Sequence, residues 1–268
     1  MRKTLIAGIG GLILLASSAA YADSAATASF TPDQQKSIEK IVHTYLVSHP
    51  KILVEMATAL QKQQQAQWQE TAKKVVPQTA KELFNSNESP IAGNPKGDVT
   101  MVEFFDYECP HCKELAPQVT DLMKNDTNLK VIFKPLPIFG GMSVFAAKAG
   151  LAAAKQGKFT AFHDALMAVQ TDPLTQAIVL KTAEQAGLNI QQLQTDMKNP
   201  LFDAELKQNE KLARDLKLTG TPAFIMAKVS GDKIQNPILI PGAVPENILS
   251  QAIAQVRGSN NNGQKTSA

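Results

Sequence analysis

The two cysteines of the chain, Cys109 and Cys112, are the residues whose spacing points most directly to chemistry. A structural disulfide gains free energy by closing a long loop, and a gap of two residues gains little in this way. A cysteine is nucleophilic as the thiolate, which the unpaired N–H groups at a helix N-terminus favour. We therefore expect a redox-active dithiol, with Cys109 as the attacking, partly exposed sulfur and Cys112 as the more buried, resolving sulfur.

The flanking residues predict a strand before this pair and a helix after it. Residues 99–105 form a nearly continuous apolar run, typical of a central strand, and residues 113–124 have the character of a helix. Pro110 lacks a backbone donor and suits the first helical turn. His111 lies between the cysteines, where it can stabilise the thiolate by hydrogen bonding or charge. A stabilised reduced form makes the disulfide a stronger oxidant.

An acidic residue, Glu103, interrupts the apolar strand six residues before Cys109. A buried carboxylate is costly unless it is paired or protonated. We expect Glu103 to lie below the site, where it could move protons to or from Cys112. The alternative is that its side chain reaches solvent at the end of the strand. Lys134, on the neighbouring predicted strand, is a candidate partner for a buried Glu103.

An inert disulfide and a structural zinc site are the two other interpretations of the cysteine pair. An inert disulfide is disfavoured, because closing a loop of two residues adds little stability. Zinc requires about four ligands, and the histidines are few and scattered. We therefore predict neither a metal nor a cofactor. His163 lies among apolar residues of a predicted helix and is interpreted as a helix-face histidine. The histidines of the chain are His43, His49, His111 and His163.

The N-terminus predicts export. Basic residues are followed by a short apolar run at 5–16 and by Ala20-Tyr21-Ala22, which together are typical of a cleaved signal peptide over residues 1–22. The expected location is the periplasm. Removal of these residues takes away Arg2 and Lys3 and no acidic residue, so the formal net charge falls from +3 to +1. This near-neutral charge gives no indication of nucleic acid or an anionic membrane surface as a partner.

Residues 23–86 predict an N-terminal helical stalk. Thr31-Pro32-Asp33-Gln34 has the pattern of a helix start, and the stretch at 61–69 is polar on all sides apart from Trp68. The first helix carries an apolar stripe, which either packs on the catalytic domain of the same chain or pairs with the same helix of another subunit. We favour pairing between subunits and predict a homodimer, with a trimer as the alternative that the sequence leaves open. The stripe consists of Ile38, Ile41, Val42, Tyr45 and Leu46.

Residues 87–257 predict a second, catalytic domain. Its elements follow the order strand, helix, strand, a block of helices, strand, strand and helix, which indicates an α/β unit with a helical insertion at about 141–217. Residues 258–268 are rich in Asn, Gly and Ser, and we expect this tail to be disordered.

Several motifs of this second domain resemble those of the DsbA-like thiol:disulfide oxidoreductases of the thioredoxin superfamily. The resemblance implies a thioredoxin-like fold with an inserted helical domain and an active-site dithiol. It also implies that Thr221-Pro222 is a cis-proline loop that binds the substrate backbone, and that Glu103 is a buried acid beneath the site. The matching stretches are Val102 to Cys112, Leu136-Pro137-Ile138, Phe162 to Leu166, and Gly220 to Phe224.

The resemblance further implies an exported enzyme that forms disulfide bonds in cysteine-containing exported proteins. Such an enzyme works with a membrane redox partner, either a DsbB-like oxidant or a DsbD-like reductant. The stalk resembles that of the oligomeric branch, which includes ScsC proteins linked to copper tolerance. A threonine before the cis-proline is shared with DsbC-type isomerases, so isomerisation is also expected. The alternatives are a dithiol protein that binds Cu(I) and a redox-linked holdase chaperone.

Overall fold

The structure, a computed structural model, describes residues 30–171, 173–231 and 233–258. The predicted signal peptide and nearly all of the predicted disordered tail lie outside these ranges. The chain divides into two compact units, Met1–Ala57 and Thr58–Ala268. In the parts of the chain that the structure describes, no helix combines the length and the apolar character that a membrane span requires.

The N-terminal unit contains α1 (Pro32–Ser48) and the beginning of α2 (Lys51–Val75). The predicted helix start is confirmed as a capping box. The Gln34 backbone N–H donates to the Thr31 hydroxyl at 3.3 Å, and the Thr31 backbone N–H donates to the Gln34 side chain at 2.9 Å. Helix α1 has no buried residue, and the five side chains of its apolar stripe are all exposed.

The second unit is built on a five-stranded sheet with the strand order β1-β3-β2-β4-β5. Strands β2 and β3 are parallel, and the other neighbouring pairs are antiparallel. All seven residues of β2 are buried, as expected for a central strand. The strands are β1 (Ile91–Gly93), β2 (Val99–Phe105), β3 (Leu129–Pro135), β4 (Ala223–Ser230) and β5 (Lys233–Pro241).

Helices connect and cover these strands in the predicted order. The helix that follows the cysteine pair connects β2 to β3, five helices lie between β3 and β4 in the chain, and one helix follows β5. The helices of this unit after α2 are α3 (Ala80–Phe84), α4 (Pro110–Asn125), α5 (Gly141–Lys155), α6 (Phe159–Met167), α7 (Gln176–Gln185), α8 (Ile190–Asp196), α9 (Pro200–Asp215) and α10 (Glu246–Arg257).

The sheet separates two hydrophobic clusters. One includes Met101 and Phe105 of β2 together with α4 and most of the inserted helices. The other includes Val102 and Phe104 of β2, side chains of α9, and residues that precede the sheet in sequence. Alternate residues of β2 therefore face different cores, as the two-residue period of a strand requires.

The boundary between the compact units differs from the predicted end of the stalk. The sequence predicts a stalk to residue 86, whereas residues from Thr58 onward belong to the catalytic unit. Four side chains account for this difference, because they are buried in the second cluster: Ala72, Val76, Leu83 and Phe84. Trp68 packs against the same cluster. The apolar residues 68, 72 and 76 are spaced at one helical turn, so a single stripe in a mostly polar helix is enough to attach it.

Candidate functional site

The cysteine pair lies where β2 leads into α4. Cys109 is the N-cap residue of α4, Pro110 is at its first position, and Cys112 lies within the first turn. Both cysteines are free thiols. Both cysteines are buried, Cys109 at 3% exposure and Cys112 at 0%. The predicted partial exposure of Cys109 is therefore wrong, although Cys112 is the more buried of the two.

Hydrogen bonding stabilises the thiolate of Cys109. The thiol of Cys112 donates to it, and this contribution is larger than the opposing effect of burial. The backbone N–H groups of His111 and Cys112 act in the same direction, as the free donors of a helix N-terminus should. Together these contacts lower the pKa of Cys109 from 9.0 to about 5, so the residue is a thiolate at neutral pH.

The loop opposite the cysteine pair supplies Thr221 and Pro222, whose connecting peptide bond is cis, as the resemblance implies. The thiol of Cys109 donates to the carbonyl oxygen of Thr221 at 3.3 Å. While Cys109 is protonated, the Thr221 hydroxyl is buried without a hydrogen-bond partner among the described residues. It is available to donate to the thiolate, and this donation contributes to the lowered pKa of Cys109.

Cys112 has the opposite character. Burial raises its pKa far above the ordinary value, and the hydrogen bond with Cys109 raises it further. The nearby carboxyl of Glu103 acts in the same direction. At neutral pH Cys112 therefore keeps its proton and Cys109 releases its own. This difference allows one sulfur to attack while the other waits to resolve the mixed disulfide.

Glu103 is buried at 1% exposure in the middle of β2. Neither of its carboxyl oxygens has a hydrogen-bond partner within the described residues. Burial raises the pKa of Glu103 from 4.5 to about 8. A carboxyl group with this pKa can bind or release a proton near neutral pH, as the predicted proton transfer with Cys112 requires.

The suggested pairing of Glu103 with Lys134 is wrong. In the parallel register of β2 and β3, Glu103 lies opposite Phe133, and Lys134 lies opposite Phe104. Successive side chains of a strand point to opposite faces, so Lys134 and Glu103 face different cores. The ion-pair partner of Lys134 is Glu205 of α9, with 3.2 Å between Nζ and Oε1.

Lys134 and Glu205 belong to a buried polar network on the face of the sheet away from the cysteines. Lys134 Nζ donates to Ser89 Oγ at 2.8 Å and to Asn209 Oδ1 at 3.3 Å. Ser89 and Ser86 donate to the two carboxylate oxygens of Glu205 at 2.5 and 2.7 Å. This network joins the segment before β1 to β3 and α9, and sequence reasoning did not find it.

His111 lies on the exposed side of α4. Its Nδ1 is 3.7 Å from Glu114 Oε2, and the side chains of both residues are about 70% exposed. The contribution of His111 to the Cys109 thiolate is made by its backbone N–H. The imidazole therefore lies at the surface beside Glu114.

Asp106 holds the active-site loop and was not identified from the sequence. The side chain of this buried residue accepts hydrogen bonds from Ile138 N at 2.7 Å, Phe139 N at 3.3 Å and Ser143 Oγ at 2.8 Å. It also accepts one from the backbone N–H of Glu108 at 2.8 Å. Asp106 therefore joins the loop before Cys109 to the loop between β3 and α5. The sequence signal was a polar residue directly after a buried strand.

His163 lies inside the core, where burial lowers its pKa to about 3. Its Nδ1 is 3.3 Å from the hydroxyl of Tyr107, and the rings of Phe105, Phe133 and Phe159 surround it. The neutral histidine connects the inserted helix α6 to the loop that carries Cys109. His163 therefore lies on a helix face, as predicted, and that face is buried. The described residues contain no group of three or more side chains that could hold a metal ion.

A cysteine pair with one low and one high pKa, placed at the start of a helix that follows a central strand, supports reversible dithiol–disulfide exchange. The fold and the site thus have the features of the thioredoxin-like class of thiol oxidoreductases. Residues 100–254, more than half of the chain, match the family described as DSBA-like thioredoxin domain. The chain belongs to this family. Residues 34–67 match the Copper resistance protein ScsC N-terminal domain.

Solved structures agree with this assignment. A thioredoxin-like oxidoreductase from Silicibacter pomeroyi DSS-3 is 40% identical, with 66% of this chain and 97% of that chain covered at a TM-score of 0.60. ScsC from Proteus mirabilis, in a transitional conformation, is 28% identical, with 86% and 98% covered at a TM-score of 0.60. These matches confirm the predicted fold class and the resemblance to ScsC-type proteins.

The curated relatives include much longer proteins. Na(+)/H(+) antiporter NhaA 3 from Salinispora tropica is 30% identical over 169 residues, which are 62% of this chain and 25% of that protein. The chain spans about a quarter of the length of this relative.

Proposed function

We propose that this protein is an exported thiol:disulfide oxidoreductase that forms and rearranges disulfide bonds in other exported proteins. The observation that carries the proposal is the opposite shift of two pKa values within one helical turn. The pKa of Cys109 falls to about 5, whereas that of Cys112 rises. A stabilised thiolate at Cys109 is a good leaving group, which favours transfer of the disulfide to a substrate.

Oxidation of a substrate begins from the Cys109–Cys112 disulfide. A substrate thiolate attacks Cys109 Sγ, the bond between the two active-site sulfurs breaks, and its electron pair remains on Cys112. Protonated Glu103 supplies the proton that Cys112 takes up. A second substrate thiolate then attacks the substrate sulfur of the mixed disulfide, and Cys109 leaves as the thiolate. The substrate loses two electrons and the active-site pair gains them.

Rearrangement starts from the reduced pair. The Cys109 thiolate attacks a substrate disulfide and forms a mixed disulfide, and one substrate sulfur leaves as a thiolate. That thiolate can attack another disulfide of the same substrate. If that attack does not occur, Cys112 transfers its proton to Glu103 and attacks Cys109 Sγ. The Cys109–Cys112 disulfide re-forms, and the substrate is released in its reduced form. A DsbB-like membrane oxidant would maintain the oxidising cycle, and a DsbD-like reductant would maintain the rearranging one.

The N-terminal unit is proposed to join two copies of the chain in the periplasm. The exposed apolar stripe of α1 and the match of residues 34–67 to the ScsC N-terminal domain support this part of the proposal. Exposed apolar side chains in a row on one helix are typical of a surface that another helix covers. A dimer would contain two dithiols, so a substrate with a disulfide bond could undergo thiol–disulfide exchange at a second site.

The test compares the mature protein with a variant that lacks residues 30–57. This deletion ends where the compact unit ends, and it keeps the core residues Ala72 and Val76 that a deletion to residue 86 would remove. We expect the variant to be monomeric by light scattering, to oxidise a reduced peptide at the full rate, and to lose most refolding of a scrambled-disulfide substrate. A variant that remains oligomeric contradicts the assignment of the stripe. Cys109→Ser should abolish both activities, and turnover by it would refute the mechanism.

The description of the N-terminal match also favours a test of Cu(I) binding. Thiolates are suitable ligands for Cu(I), and the Cys109–Cys112 pair is the candidate site. The reduced protein is titrated with Cu(I) beside the Cys109→Ser, Cys112→Ser double variant. Tight one-to-one binding together with weak thiol exchange would favour a copper protein over an oxidoreductase.

A further inference from the structure

A groove of about 420 Å³ adjoins the cis-peptide loop, and helix α2 forms one of its walls. The loop contributes Gly220 and Thr221 to the lining, and the end of β5 contributes Pro241. From α2 come Gln64, Gln67 and Trp68. Residues separated by three and four positions lie on one face of a helix, so these three side chains form a continuous wall. All of them belong to the catalytic unit.

We infer that this groove binds the stretch of substrate chain next to the reacting cysteine, and that α2 thereby selects which cysteine-containing segments react. The inference rests on the proposed function and names a substrate-binding surface for it. Helix α2 lies outside the matched DSBA-like domain, which begins at residue 100. The wall is therefore supplied by residues of the second compact unit that precede the matched domain in sequence.

The position of the reactive sulfur brings a substrate to this groove. Cys109 Sγ is 3.3 Å from the carbonyl oxygen of Thr221, and Thr221 lines the groove. In a mixed disulfide, the substrate sulfur is bonded to Cys109 Sγ, so the substrate cysteine lies within a residue or two of Thr221. An extended chain advances about 3.3 Å per residue. The next residues of the substrate on one side of its cysteine therefore lie in the groove.

The chemistry of the wall indicates the kind of segment that fits. Gln64 and Gln67 are exposed, and each offers an amide N–H and a carbonyl oxygen, which can bond the backbone of an extended peptide. Trp68 is half-buried against the core and presents a flat apolar surface. The residues that line the groove carry no formal charge. The groove suits an unfolded segment with a neutral, apolar or aromatic residue beside its cysteine.

Trp68 also provides the means of detection, because it is the only tryptophan in the chain. The full-length Cys112→Ser variant, which traps mixed disulfides, is coupled through Cys109 to three probes: cysteamine, a hexapeptide with Phe or Leu on either side of its cysteine, and the same peptide with Asp at those positions. We expect a blue shift of the Trp68 emission with the apolar peptide alone. Equal emission from all three adducts would overturn the inference while leaving the proposed function intact. Failure of every thiol to couple would overturn both.

Steady-state kinetics provide a second, independent test of the groove. For each variant, kcat/KM for oxidation of the apolar peptide is divided by the rate constant for oxidation of dithiothreitol. We expect the Gln64→Ala, Gln67→Ala double variant to lower this ratio about fivefold, mainly through KM. Gln65→Ala is the matched control, since this exposed glutamine of the same helix does not line the groove, and it should leave the ratio unchanged. An unchanged ratio in the double variant would overturn the inference.

Discussion

Glu103 and Lys134 lie on neighbouring parallel strands yet on opposite faces of the sheet. The register places Glu103 beside Phe133 and Lys134 beside Phe104. The two side chains therefore face different hydrophobic clusters and have different neighbours. Lys134 has Glu205 as an ion-pair partner, whereas the carboxyl oxygens of Glu103 have no partner in the described part of the chain. An unpaired carboxyl on the dithiol face is available for proton transfer, at a cost in stability.

The first prediction is that removing the buried carboxyl group of Glu103, by Glu103→Gln, stabilises the fold. Burial raises the pKa of Glu103 from 4.5 to about 8, so the folded state holds a proton that the unfolded state has lost between these pH values. Stability therefore falls as the pH rises through this window. We expect Glu103→Gln to increase the free energy of unfolding by about 3 kcal/mol at pH 7 and by much less at pH 4. Urea denaturation of the oxidised protein at both pH values measures the difference.

An exposed carboxylate of α4 provides the control for this substitution. Glu114 is 72% exposed, and Glu114→Gln should change the unfolding free energy by less than about 0.5 kcal/mol at either pH. Equal stabilisation by Glu103→Gln at pH 4 and pH 7 would show that the carboxyl group of Glu103 does not titrate in this window.

The second prediction concerns the thiolate of Cys109. The hydrogen bond from the Cys112 thiol is the largest contribution to the lowered pKa of Cys109. Absorbance at 240 nm should show a single thiolate transition near pH 5 in the reduced protein. We expect Cys112→Ala to move the transition to higher pH, because this donor is lost while the backbone donors at the helix N-terminus remain. A transition at the same pH in both proteins would assign the low pKa to the backbone donors of the helix N-terminus and to the Thr221 hydroxyl.

The linkage between this pKa and stability has a definite sign. The folded-state pKa of Cys109 is depressed from 9.0 to about 5, so the thiolate stabilises the reduced fold fully above pH 9 and loses this effect as the pH falls through 5. The oxidised protein lacks the titrating thiol. The unfolding free energy of the reduced form relative to the oxidised form should therefore increase from pH 5 to pH 9, as paired urea titrations would measure.

Local sequence signals were sufficient for the elements that flank the dithiol and for the start of α1. The apolar run before Cys109, the proline after it and the capping box at Thr31 are each formed by neighbouring residues, and the structure has them where expected. The features that the sequence did not predict depend on contacts between residues that are distant in sequence. Asp106 bonds the loop at residues 138 and 139, and Lys134 pairs with a residue of α9. The strand register decides the partner of Lys134, and the sequence of neither strand specifies that register.

The boundary of the stalk was missed for a related reason. Residues 61–69 are polar apart from Trp68, which predicts a helix that does not dock on a core. A single row of apolar residues one turn apart attaches the helix instead, through Trp68, Ala72 and Val76. Composition averages over all faces of a helix, whereas packing requires only one of them.

The third prediction concerns Asp106→Asn. The side chain of Asp106 accepts three backbone hydrogen bonds and one from Ser143, and an amide in its place retains one acceptor oxygen and adds a donor. We expect a loss of about 2 kcal/mol in the unfolding free energy and slower oxidation of dithiothreitol, because the loop before Cys109 loses its attachment. Asp98→Asn, before the other end of β2, is the control, and it should leave the oxidation rate unchanged. Equal rates in all three proteins would contradict a positioning role for Asp106.

The fourth prediction tests the buried network through Lys134. Its side chain is fully buried and bonded to Glu205, so Lys134→Met leaves an uncompensated carboxylate and should lower the unfolding free energy by about 3–5 kcal/mol. Adding Glu205→Gln removes that charge and keeps an acceptor for Ser89, and we expect it to restore about 2 kcal/mol. Lys148→Met breaks the more exposed pair with Asp203 and should cost less than about 1 kcal/mol. Urea denaturation of the four proteins measures these changes in unfolding free energy. A cost of Lys134→Met no larger than that of Lys148→Met would contradict a stabilising role of the buried pair.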